Sequence, residues 1–203
     1  MGSIIFEKEE TCIIEDSVKI EGNVTIKPNT IIRGNSIIKG NVILGPNVEL
    51  INVEVNESSI IHNSLIKDSK IGKNVSIGPF SHLRDNSIIS DNVRIGNYVE
   101  IKNSTIGKDT KIAHLSYIGD ASIGMNVNIG AGVITANYDG KNKHKTIIGN
   151  NAFIGSSSTL IAPITIEDNA FIAAGSTITS NVPESNLAIA RAYQVNKKRK
   201  NTR

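Results

Sequence analysis

The chain has 203 residues, a formal net charge of +3, 39% hydrophobic residues and only 4% aromatics, with no tryptophan. So slight a charge argues for neither a nucleic-acid binder nor a membrane-surface protein, and no apolar run is long enough to cross a bilayer. The single Cys12 excludes an intramolecular disulfide and fits a reducing compartment, so a cytoplasmic location is expected.

Residues 1–12 show no period, carry no charged-then-apolar signal pattern, and read as a lead-in. From Ile14 an aliphatic residue recurs every six positions, through Ile20, Ile26, Ile32, Ile38 and Leu44 to Leu50. Four residues beyond each stands a small or β-branched residue, as at Val18, Val24, Thr30 and Ser36. The phase slips between about Val53 and Ser69, then resumes at Ile71, Ile77, Leu83, Ile89, Ile95 and Ile101. It returns a last time from Ile148 to Ile178. A strict sixfold repeat is the mark of a parallel β-helix built from hexapeptides. Each unit is one short strand and a turn, and three make a triangular coil with the aliphatic residue inside. Gly, Asn and Asp serve the corners, where other residues meet a steric penalty. The expected fold is therefore all-β, a left-handed parallel β-helix of about nine coils over residues 13–182. An ordinary sandwich would instead alternate with period two.

One segment, TANYDGKNKHKTI over residues 135–147, is too long for a coil and is expected to protrude as a loop. Around it, from Ile112 to Thr146, gather His114, Tyr117, Asn128, Asn137, Tyr138 and Lys143, polar residues too particular for a scaffold. From Pro183 the repeat ends, and residues 183–203 read as a basic tail containing the run KKRK. A neutral imidazole at His114 is suited to taking a proton near pH 7. A solvated corner histidine is the other reading of the same residue.

The stretches IGPFSHLRDN, IGNYVEIKNS, IAHLSYIGDASIGMNVNIGAG, NYDGKNKHKTIIG and LAIARAYQ together resemble one family. It is the acetyltransferase half of bacterial bifunctional N-acetylglucosamine-1-phosphate uridyltransferase/glucosamine-1-phosphate N-acetyltransferase. The match is strong from about Ile71 to Gln194 and weaker from Ile14. No LAAGxGTRM-like loop of the family's nucleotidyltransferase domain is present, so no uridylyl transfer is expected from this chain. It is either a fragment of such a protein or a stand-alone acetyltransferase.

The resemblance implies acetyl transfer from acetyl-CoA to glucosamine 1-phosphate, without a metal, in the synthesis of UDP-N-acetylglucosamine and peptidoglycan. It implies His114 as general base, with Arg84, Lys102 and Tyr117 clamping the phosphosugar, since a guanidinium can meet two phosphate oxygens. Asn128, Lys143 and Glu100 are implied as further acceptor contacts. On the acetyl-CoA side it implies Ala131, whose backbone N–H would meet the developing oxyanion, with Asn137, Tyr138, Ser156, Ala174, Arg191 and, in the tail, Lys197. His62, His82 and His144 read as surface residues. The resemblance further implies a homotrimer with sites between subunits. Three rivals remain: a metal-dependent hydratase on the same fold, which needs three converging histidines; a non-catalytic scaffold; and an acetyltransferase of another amino sugar.

Overall fold

The computed structural model describes residues 3–198. Its 28 short strands pair only in parallel, apart from one isolated antiparallel bridge, and a single-turn 3₁₀ helix at Glu9–Thr11 is the one helical element among these residues. The architecture is the expected parallel β-helix of hexapeptide repeats. Its first face runs from Ile4–Phe6 through Val24–Ile26, Arg94–Asn97, Lys111–His114, Asn128–Ile129, Phe153–Ile154 and Phe171–Ile172 to Leu187–Ala188. The second face includes Thr30–Arg33, His82–Arg84, Glu100–Lys102, Tyr117–Gly119, Ile134–Ala136 and Thr159–Ile161. The third includes Ile88–Ile89, Thr105–Ile106, Ala121–Ile123, Thr146–Ile148 and Ile164–Ile166.

Within a strand successive side chains alternate in and out, so the repeat aliphatic and the small residue two positions earlier both face inward. Val24–Ile26 and Val42–Leu44 show this directly, with their outer residues buried and the middle one half-exposed. The inward isoleucines stack coil upon coil: Leu83, Ile101 and Ile118 are fully buried and in register. Each is worth about 1.5–3 kcal/mol of burial, which is how a chain so poor in aromatics supports a core.

Corners are turned by residues at positive φ, mostly asparagine, whose short amide tolerates that conformation. Their side chains form ladders from coil to coil, and the ladders give the coil length. Asn74 donates to Asn92 18 residues on, and Asn92 to Asp109 17 residues on. Asn52 donates to Asp68 16 residues on, inside the region where the phase slips. There two long strands, Val48–Val55 and Leu65–Ile71, continue around the corner from the second face to the third. Asn126 donates to Asn151 25 residues on, across the insertion.

Three boundaries differ from the expected ones. Ile4–Phe6 pairs with Val24–Ile26 and so belongs to the first face; the 3₁₀ turn adds residues that throw it out of phase. At the other end Leu187–Ala188 pairs with Phe171–Ile172, which carries the solenoid past Pro183 into the expected tail. The protruding loop is also shorter than residues 135–147. Thr135 lies in Ile134–Ala136 and is fully buried, and Thr146 and Ile147 lie in Thr146–Ile148. Residues 137–145 form the protrusion. Of the run KKRK, Arg199 and Lys200 lie outside the described residues.

Candidate functional site

Three successive strands of the second face turn a polar patch outward. Arg84 pairs in register with Lys102, which pairs with Gly119; beside them His82 pairs with Glu100 and Glu100 with Tyr117. The apolar Leu65 and Ile134 bound this second row on either side. The Arg84 guanidinium donates from Nε at 3.0 Å and Nη2 at 2.8 Å to Glu100 Oε1, and from Nη1 at 2.9 Å to Asp85. The Glu100 hydrogen bond raises the Arg84 pKa, so Arg84 is a fixed cation. Gly119 makes room for Tyr117: a Cβ there would stand 2.5 Å from the Tyr117 hydroxyl and 2.8 Å from Asn137 Nδ2.

Lys102 is buried, and its Nζ lies 3.2 and 3.4 Å from the two Asp120 oxygens. Asp120 also accepts from Asn103 Nδ2 at 2.6 Å and from Asn137 Nδ2. Burial pushes the Asp120 carboxyl up, but the Asn103, Asn137 and Lys102 donors outweigh it and hold the carboxyl low. Lys102 pushes the Lys143 ammonium down. Neighbouring ammonium groups resist double charging. Burial opposes the Lys102 charge too, but the Asp120 carboxylate beside it favours the charge, and the Lys102 pKa is raised.

The loop bearing Asn137, Tyr138 and Lys143 is closed by its own turn. Asp139 accepts from the backbone N–H groups of Lys141 at 2.8 Å and Asn142 at 2.6 Å, and its second oxygen lies 2.6 Å from His144 Nε2. The Asn142, His144 and Lys141 contacts lower the Asp139 pKa to about 2. Tyr138 is exposed, folds back to donate to the Gly140 carbonyl at 2.7 Å, and its backbone bridges Lys143. A polar recess of about 500 Å³ beneath the loop is lined by Asn103, Asp120, Lys143, His144 and Lys145.

His114 ends Lys111–His114, at the corner between first and second faces, and is exposed. Its Nδ1 lies 2.8 Å from Asn97 Oδ1 on the preceding coil. An amide oxygen only accepts, so this contact assigns the proton to Nδ1 and leaves the Nε2 lone pair free. Below His114 the same corner carries small residues. Gly132 N–H bonds the His114 carbonyl, Ser157 N–H the Ala131 carbonyl, and Gly175 N–H the Ser156 carbonyl. Ala131, Ser156 and Ala174 thus lie along one edge that ends at Arg191, whose Cδ lies beside Gly175. Among the described residues the Ala131 N–H donates no hydrogen bond. At the positive-φ position of this corner, where Asn29, Asn47 and Asn63 stand in earlier coils, come Phe80, Tyr98 and Leu115 at φ 59, 55 and 49°. All three are exposed, and the first two stack with ring centroids 5.3 Å apart.

The expected residues thus fall into two adjoining groups. Arg84, Glu100, Lys102, Tyr117, Asn137 and Lys143 meet on the second face and under the loop; His114, Ala131, Ser156, Ala174 and Arg191 follow the corner. Asn128 joins neither. It opens Asn128–Ile129 on the first face, in register with Lys111 and Phe153, and so turns away from the second-face patch. Lys197 is exposed. His82 corrects the surface reading: it is half-buried, its Nε2 is buried without a partner among the described residues, and burial lowers its pKa. Sequence reasoning also missed Asn97, Gly119 and Asp120. Gly119 and Asp120 sit at the end of the HLSYIGD motif, but nothing in the sequence says that Asp120 meets Lys102, Asn103 and Asn137 at once. Chemically, the patch offers fixed cations for an anionic group and, around the corner, a base whose tautomer is set.

Two family models match, the GMPPB C-terminal domain over residues 67–155 and the hexapeptide repeat of succinyl-transferase over residues 145–180. The chain is 55% identical over 148 residues to the bifunctional protein GlmU of Streptococcus mutans, covering 73% of this chain and 32% of that protein. It is 61% identical over 132 residues to the bifunctional protein GlmU of Bacillus mycoides, covering 65% and 29%. The chain therefore spans about a third of the length of these relatives. A solved UDP-N-acetylglucosamine acyltransferase matches with TM-score 0.66 and 19% identity over 93% of this chain and 71% of that one. The enzyme of the same description from Francisella novicida matches with TM-score 0.58 and 20% identity, over 92% and 67%. These two share the fold.

Proposed function

We take membership in the hexapeptide-repeat, acetyltransferase part of the bifunctional GlmU family as the premise and propose that the chain acetylates an amino-sugar phosphate. The donor is acetyl-CoA and the acceptor the 2-amino group of glucosamine 1-phosphate. The observation that carries the reading is the cationic patch of Arg84, Lys102 and Lys143 one corner away from His114, whose free nitrogen is set by Asn97.

In this reading the phosphate lies against Arg84, Lys102 and Lys143, where charge-assisted donors bind it best. A phosphate beside Lys143 favours its charged form and offsets the push from Lys102. The amine attacks the thioester carbonyl; a C–N bond forms and the C–S bond breaks. His114 Nε2 takes the proton from the nitrogen, and the thiolate of CoA leaves. Asn97 supports the imidazolium by accepting from Nδ1. The free Ala131 N–H, one coil below His114, faces the developing oxyanion, a contact worth about 3–4 kcal/mol of barrier. The small residues Ser156 and Ala174 let the pantetheine arm run down the edge toward Arg191.

The reading also requires more than one prism. Asn128 faces away from Lys102 in one chain, so a site holding both forms only where the first face of one copy meets the second face of another. A homotrimer supplies this by symmetry. Use of acetyl-CoA agrees with a cytoplasmic setting and with a place in cell-wall precursor synthesis. His114→Ala tests the reading: turnover should fall by about 10²–10⁴-fold, as for loss of a general base, with the circular dichroism spectrum kept. Unaltered turnover in that variant removes His114 from the chemistry.

A further inference from the structure

We infer that Asp120 is a positioning residue that ties the acceptor-side ammonium of Lys102 to the loop amide of Asn137, so that the phosphate clamp and the loop form as one unit. The inference rests on the acetyl-transfer reading above, which it deepens.

Asp120 occupies a corner position, at φ 49°, of the kind filled elsewhere by Asn52, Asn86 and Asn103. An ordinary corner residue here makes a ladder contact and one to the main chain, as Asn52 donates to Asp68 and accepts from the Asn35 N–H. Asp120 takes part in that ladder through Asn103, and then makes four further contacts. Its carboxylate holds the buried Lys102 ammonium at 3.2 and 3.4 Å. It accepts from Asn137 Nδ2, at the first residue of the protrusion. Its main-chain carbonyl accepts from Thr146 N–H at 3.2 Å, just after the last residue of the protrusion. Its own N–H bonds the Lys102 carbonyl at 3.0 Å. One residue therefore grips both ends of the loop and both ends of Lys102.

The charge is what the arrangement needs. Three side-chain donors converge on Asp120, and a carboxylate has about four lone-pair sites and no donor of its own. An asparagine, sufficient at corners such as Asn86 and Asn103, would turn an NH₂ toward one of those donors. It would also leave the buried Lys102 ammonium without its counter-charge. A purely structural corner has no need of this, because Asn103 and Asn86 turn their corners as amides.

Asp120→Asn in the full chain tests the assignment, with Asn103→Ala as the control, which removes the ladder contact and adds a left-handed alanine. The expected result for Asp120→Asn is a KM for glucosamine 1-phosphate raised by about tenfold and a KM for acetyl-CoA raised severalfold. Its melting temperature should stay close to that of Asn103→Ala. Asp120→Glu, which keeps the charge, should restore part of the loss. Asp120→Asn with both KM values within twofold of wild type would overturn the assignment, whatever happens to kcat. If Asp120→Asn does not fold, hydrogen exchange in the wild-type chain decides. The side-chain amide of Asn137 should exchange at least tenfold more slowly than that of the exposed Asn142, and equal rates would overturn the assignment. Failure of the wild-type chain to transfer acetyl would instead sink the acetyl-transfer reading, and would leave this exchange result standing.

Discussion

Replacing Gly119 by alanine should damage the site while leaving the fold nearly untouched. Gly119 sits at the end of Tyr117–Gly119 with an ordinary backbone conformation, so an added Cβ meets no backbone strain. Relative to glycine, alanine there stabilises by about 0.4–1 kcal/mol through the unfolded chain. The new methyl would however stand 2.5 Å from the Tyr117 hydroxyl, 2.7 Å from its Cζ and 2.8 Å from Asn137 Nδ2. Ordinary contact is about 3.5–4.0 Å, so the phenol and the carboxamide must each give way by about 1 Å. Tyr117 is half-exposed and can swing outward, which keeps the overpacking cost toward the lower end of about 1–3 kcal/mol. The two terms largely cancel, and the melting temperature should move by no more than about 4 °C. Function has no such relief, since a displacement of about 1 Å in a positioned group can cost about 10²-fold. The assay is kcat/KM for glucosamine 1-phosphate alongside thermal unfolding. A loss of about 10–100-fold with a nearly unchanged melting temperature is expected. A loss below threefold would mean that Tyr117 and Asn137 are not held where the chemistry needs them, and the reasoning fails.

Asn97→Ala should lower kcat by about tenfold and alter the pH profile of kcat/KM, because Nδ1 loses the acceptor that fixes the His114 tautomer; an unchanged profile would show that the 2.8 Å contact does not govern the base. Leu115→Asn should stabilise the chain by about 0.5–1 kcal/mol, since a left-handed conformation costs leucine about 1–2 kcal/mol and asparagine less, and should lower turnover at the adjoining His114; a reduced melting temperature would contradict the strain. The Asp139 turn gives a pH test. Its pKa is depressed from 3.8 to about 2, so its contribution to loop order is fully present above 3.8 and disappears as pH falls through about 2. Protease nicking within residues 137–145 should therefore stay constant from neutral pH down to about 4 and rise below it, with an acid-active protease as the probe. Nicking that rises already near pH 6 would assign loop order to another group.

The sixfold aliphatic pattern made the solenoid legible because an inward side chain on every coil is an unavoidable demand of the prism. The loop was legible too, since Tyr138 to Lys145 cannot be fitted to six-residue phase. The ends were not. Ile4–Phe6 is displaced from phase by the Glu9–Thr11 turn, and Leu187–Ala188 by a shortened last coil beginning with the Ile166–Val182 bridge. The candidate residues could be named from the sequence, but their contacts could not. Which residue meets which across coils depends on whether a coil has 16, 17, 18 or 25 residues, and single deletions at corners leave little trace in composition. Thus Lys102 was nameable, but its partner Asp120 was not. His114 was nameable, but the Asn97 amide that sets its tautomer was not. Thr135 shows the same limit inside the core. It replaces an aliphatic residue, and its hydroxyl meets the Gly119 N–H at 2.8 Å and the Gly119 carbonyl at 3.1 Å, bracing the strand that carries Tyr117.

Release of CoA thiol from acetyl-CoA, with glucosamine 1-phosphate and glucosamine compared as acceptors, decides whether this chain transfers acetyl to a phosphorylated amino sugar. Release with glucosamine 1-phosphate and little with glucosamine is expected, because Arg84, Lys102 and Lys143 have no purpose for a ligand without a phosphate. Equal release with both would keep the acetyltransferase and discard the clamp, and no release with either from the folded chain would rule out acetyl transfer.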